Sequence, residues 1–87
     1  MATDRGIMHG ENCLFLHKQD WGKKLQMVYA SPDGSGGWST ISETTIKMDR
    51  GTDESRAQQL QGFLRDNGLG EHLSVVGDKL REMGMVK

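Results

Sequence analysis

The apolar residues of this chain repeat at two different periods, and the change falls at Asp49-Arg50-Gly51. Before that point, short runs of large and β-branched side chains are bounded by polar turns, poorly alternating over Asn12 to Lys18 and alternating with a period of two from Lys24 to Ser31. After it apolar side chains recur every three or four residues. One pattern suits a pleated strand and the other a helix, so the chain divides into a β half and an α half. The expected fold is α+β: an N-terminal three-stranded antiparallel β-meander followed by two C-terminal α-helices packed on one sheet face.

Three strands are expected in the first half. In Asn12 to Lys18, Cys13, Phe15 and His17 share one face and Leu14, Leu16 and Lys18 the other. Gln19-Asp20-Trp21-Gly22 reads as a turn. From Lys24 to Ser31, Leu25, Met27 and Tyr29 alternate with Gln26, Val28 and Ala30. Pro32 through Gly37 is the strongest turn signal, a flexible loop in which glycine supplies positive φ. Trp38 to Met48 is dense in β-branched residues. Trp38, Thr40, Ser42, Thr44, Ile46 and Met48 would share a face while Ile41 points away, a conflict that predicts a bulge near Ser42-Glu43. Residues 1–11 show no period and read as a flexible arm.

The helical half carries clearer punctuation. Thr52 is a good N-cap, and Asp53 and Glu54 suit the positive end of the helix dipole. Ala57, Leu60, Phe63 and Leu64 form an apolar stripe, and Asn67-Gly68-Leu69 reads as a C-cap. The first helix is expected over about 53–67. Leu69, Leu73, Val76, Leu80 and Met83 form a heptad-like stripe over 71–83, with Gly84 as its stop. Gly62 to Met85 resembles parts of a SAM domain, at Phe63-Leu64 before Gly68-Leu69 and at Asp78 to Met85. The resemblance covers about a quarter of the chain and transfers no functional residue.

With 87 residues, the chain makes a single domain over 1–87: arm 1–11, sheet region 12–48 and helical pair 52–84. A domain this small buries roughly 60–65% of its unfolded surface, so its core is thin. Only 34% of its residues are hydrophobic, which leads us to expect a homodimer through helix 71–83 or a protein partner of unknown identity. Cys13 is the only cysteine, so no intrachain disulfide is possible and a reducing, cytoplasmic setting is expected. No apolar run approaches 18 residues and the first twenty lack an apolar signal core, so neither membrane insertion nor secretion is expected. A net charge of −1 with mixed signs disfavours a strongly basic nucleic-acid binder.

Several residue groups invite a chemical reading. His9, Cys13 and His17 are spaced by four, but four residues of strand span about 13 Å, too far for one zinc ion or a catalytic dyad. The cluster Gly34-Ser35-Gly36-Gly37 leads into a strand, not a helix, and no lysine follows, so it is no phosphate cradle. Arg50-Gly51-Thr52 opens a helix whose first turn is acidic, which favours ordinary capping over anion binding. No catalytic residues, metal or cofactor are therefore expected, and the chain reads as a non-enzyme. Its most suggestive surface is Lys18 to Lys24, where Trp21 stands among three lysines. Lys18, Trp21, Lys23, Lys24 and Tyr29 are the expected partner-binding residues. The expected function is a protein-binding regulator or inhibitor, of the kind viruses such as phage direct at host machinery. The alternative is a single-stranded nucleic-acid binder using the same tryptophan and lysines.

Overall fold

The computed structural model describes residues 4–84. Four strands, β1 (Asp4–His9), β2 (Asn12–Gln19), β3 (Lys24–Pro32) and β4 (Trp38–Lys47), form an antiparallel sheet in sequential order. Two helices follow, α1 (Asp53–Asp66) and α2 (Leu73–Glu82). Short 3-10 turns at Asp20–Gly22 and Gly70–His72 link β2 to β3 and α1 to α2. The α+β class is as expected, but the sheet has four strands, not three.

The extra strand comes from the expected arm. Asp4 to His9 pairs residue by residue with His17 to Asn12. The chain reverses through Gly10-Glu11, where Gly10 has φ 63°, the positive value that tight hairpin turns require. Ile7 inserts into the core, and this one anchor outweighs the polar residues around it. Residues 1–3 of the expected arm lie outside the described residues.

The alternation in β2 and β3 holds. Leu14, Leu16, Leu25, Met27, Tyr29 and Ile46 face the helices and are buried with Leu64, Leu69, Val76, Leu80 and Met83. Among the described residues no polar or charged residue is buried. The expected bulge is present, one residue earlier than the sequence suggests. Tyr29 opposes Ser42 while Ala30 opposes Thr40, so Ile41 is the extra residue. The bulge reverses the alternation in β4. Ser42, Thr44 and Ile46 pair with core-facing residues, whereas Trp38 and Thr40 lie on the opposite face with Pro32 and Ala30.

Thr52 caps α1, its Oγ1 accepting from the Ser55 amide at 3.0 Å. At the other end Gly68 has φ 71°. The Leu69 amide donates to the Leu64 carbonyl at 2.7 Å, and the Gly68 amide donates to the Arg65 carbonyl at 3.1 Å. These two bonds satisfy carbonyls that the helix leaves over, and Leu69 and Leu64 bury together beside them. Gly84 ends α2 with φ 74°. Of the expected stripe, Leu69, Val76, Leu80 and Met83 are buried in the chain's own core, whereas Leu73, and Val75 beside it, are exposed.

Candidate functional site

A four-stranded sheet with helices on one side leaves the other side to solvent, where polar residues are the rule. Here that face carries Met8, Cys13, Phe15, Val28, Ala30 and Trp38. The rings of Phe15 and Trp38 meet edge to face, with centroids 5.3 Å apart. Their strands, β2 and β4, flank β3 and are about 9.5 Å apart. The two rings therefore meet over β3, between the positions of Val28, opposite Phe15, and Pro32, opposite Trp38. Phe15 also stacks on His17, at 6.2 Å. Met8, paired with Cys13, extends the patch and is exposed at 57%, and Trp38 is exposed at 45%; the bulge residue Ile41 is exposed as well, at 51%. Contiguous exposed apolar surface of this kind is characteristic of interaction sites.

The patch grades into a basic end. Lys24 and Lys47 oppose each other on the same face, next to Gln19 and Gln26, whose amides are hydrogen-bonded at 2.9 Å. Beyond them lies the 3-10 turn with Trp21. The residue is 97% exposed, the most exposed large hydrophobic residue described. Its backbone is left-handed (φ 58°, ψ 29°), as is that of Asp20 (φ 52°). For a bulky residue this region is costly, and no contact with the core offsets the cost. β3 is nine residues long, so this turn and Trp38 stand about 27 Å apart at opposite ends of the sheet.

The expected contact residues divide. Trp21, Lys23 and Lys24 are exposed at the β2–β3 end. Lys18 is half-buried, and its Nζ donates to the Met83 carbonyl at 2.9 Å, a cation placed at the carbonyl end of α2. Tyr29 is not a surface residue. It lies in the core, and its hydroxyl accepts from Asn12 Nδ2 at 3.0 Å. The pairing already put it on the side of Leu25 and Met27, which the helices cover. Phe15, Trp38 and Met8 are not among the expected contact residues; their shared face depends on the pairing of β1 and on the bulge in β4.

The loop expected to be flexible carries a local set of hydrogen bonds. Asp33 Oδ1 accepts from the Ser35 amide and hydroxyl, both at 2.8 Å, and from the Gly37 amide at 3.1 Å. These bonds hold the Asp33 carboxyl below the usual carboxylate range. The approach is close: a Cβ at Gly37 would stand 2.9 Å from Asp33 Oδ2, so the carboxylate would have to shift. At Arg50-Gly51, Arg56 donates to both carbonyls, at 2.6 and 3.0 Å, and pairs with Asp53.

His9 belongs to β1, while Cys13 and His17 belong to β2 and face the other side of the sheet. The three do not converge. Burial pushes the Cys13 thiol up, and a backbone hydrogen bond from Ile7 opposes it only in part. His9 instead meets the turn before α2. Its Nδ1 lies 2.9 Å from His72 Nε2 and 3.3 Å from Glu71 Oε1, and those two atoms are 3.7 Å apart. These residues are the group among those described that could hold a metal ion. A depression of about 220 Å³ between Gln61, Leu64, Arg65, Gly70 and Leu73 is smaller than ordinary ligand pockets of roughly 300–1,000 Å³. No described helix is long and apolar enough to cross a membrane.

Compared with protein-family models, with curated proteins and with solved structures, the chain matches none of them.

Proposed function

We propose that this chain is a small non-enzymatic protein-interaction module, a regulator or inhibitor that acts by covering a partner protein's surface. The observation that carries the proposal is Trp21. It is almost fully exposed and its backbone is left-handed, so it weakens the fold that displays it. A contact outside the chain accounts for that cost. Tryptophan gives large area for little conformational entropy, which is why it anchors protein interfaces. Lys23 and Lys24 supply a charged rim, and the Phe15–Trp38 face supplies a second apolar contact on a partner large enough to span the sheet. The mixed charge, net −1, favours a protein partner over a polyanion.

Affinity capture from cell extract at physiological salt, with the full chain as bait and Trp21→Ala beside it, tests the proposal. A protein retained by the parent chain and lost with the variant supports it. Equal retention by both, or by neither, removes Trp21 from the account. A gel shift with single-stranded oligonucleotide decides the alternative. Retention at low salt that falls steeply as salt rises would replace the protein partner with nucleic acid.

A further inference from the structure

We infer that His9, Glu71 and His72 bind one zinc ion, through His9 Nδ1, Glu71 Oε1 and His72 Nε2. This site is independent of the Trp21 surface. The three atoms form a triangle with sides of 2.9, 3.3 and 3.7 Å. Ligands of a tetrahedral zinc stand about 2.0–2.1 Å from the metal, which places any two of them about 3.3–3.4 Å apart. The triangle thus has the size of one face of that tetrahedron, and the ion needs little rearrangement to enter.

The donor set narrows the metal to a transition ion, of which zinc is the one taken here. Two imidazole nitrogens and one carboxylate oxygen suit zinc and disfavour calcium and magnesium, which take oxygen ligands. The two rings stand nearly perpendicular, at 88°, with centroids 5.0 Å apart, so they converge on a point without stacking. His9 and His72 are half-buried, whereas the Glu71 side chain is 68% exposed. The open side leaves the fourth coordination position to water. His9 closes β1, and Glu71 and His72 occupy the turn that starts α2, 62 and 63 residues further along. The ion therefore clips the edge strand to the helical layer across a thin core.

The competing account is a hydrogen-bonded histidine pair with a carboxylate beside it, and one set of measurements separates the two. Tag-free chain is stripped with chelator and titrated with zinc chloride by calorimetry. It is also loaded with cobalt(II), whose visible absorption reports tetrahedral coordination, and is melted with and without zinc. The expected results are one ion per chain, tetrahedral cobalt bands, and a melting temperature about 5–10 °C higher at zinc about ten times its Kd. His9→Ala and His72→Ala should weaken zinc binding by at least the ~10–100-fold that loss of an outer-shell partner costs. Glu71→Gln, which keeps the side chain's shape, should weaken it as well. Cys13→Ala should bind as the parent does. The inference is overturned if zinc changes nothing, which leaves a histidine hydrogen bond only, if either histidine variant binds normally, or if Cys13→Ala abolishes binding.

Discussion

Replacing Trp21 by glycine should make this protein more stable. Large-to-small substitutions usually remove buried area, but this residue is 97% exposed and has almost none to lose. What the change removes is a left-handed backbone, at φ 58°, on a bulky L-residue, which costs roughly 1–2 kcal/mol. Glycine returns about 0.5–1 kcal/mol of that through its extra freedom in the unfolded chain. The net gain is about 0.5–1 kcal/mol, or about 2–8 °C in melting temperature for a domain this small. Urea unfolding followed by far-ultraviolet circular dichroism measures it, with Trp38 fluorescence as a second probe of the same transition. Asp20→Gly should gain less, because aspartate tolerates the left-handed region better. Gly22→Ala should lose stability, since Gly22 has φ 91° and a Cβ there would stand 3.3 Å from Lys18 Cε. A loss of about 1 kcal/mol or more in Trp21→Gly would refute the reasoning, because it would mean that the indole packs on the fold.

Three further outcomes follow from the caps and the titratable groups. Thr52→Ala should destabilise by about 1 kcal/mol in urea melts, because the Ser55 amide loses its acceptor; an unchanged midpoint would contradict the cap. Asp33 has a lowered folded pKa, so its contribution is present above the ordinary carboxylate value and is lost as pH falls through the folded one. Melting temperatures of the parent and Asp33→Asn should therefore differ near neutrality and converge below about pH 4, and a gap that persists in acid would count against the Asp33 bonds. The Cys13 thiol, buried and pushed up, should react slowly with a thiol reagent at neutral pH until urea unfolds the chain, whereas rapid labelling of the folded protein would contradict its burial.

Much of the fold can be read from local pattern. The α1 cap and the bonds around Gly68 need only Thr52 and Asn67-Gly68-Leu69, which are contiguous cues. The faces of β2 and β3 follow from alternation, and the misplaced Ile41 announces the bulge. The first strand was not legible, because its one core anchor, Ile7, sits among glycines and polar residues that carry no period. Site residues were harder still. The meeting of Phe15 with Trp38 depends on the register reversal in β4, and the meeting of His9 with His72 on the placement of β1 against the helical layer. The left-handed backbone at Trp21 has no signal in residue type, since tryptophan is among the last residues expected there. Tyr29 was expected as a contact although alternation groups it with Leu25 and Met27, and the structure buries it with them on the face the helices cover.

The measurement that bears most directly on the proposed function is a binding isotherm of Trp21→Gly against the captured partner, run beside the parent chain. The account predicts a variant at least as stable as the parent whose affinity falls by about 2 kcal/mol or more, the loss typical of an interface hot spot. Undiminished affinity in a folded Trp21→Gly variant would contradict the claim that this exposed residue is the contact on which the protein acts.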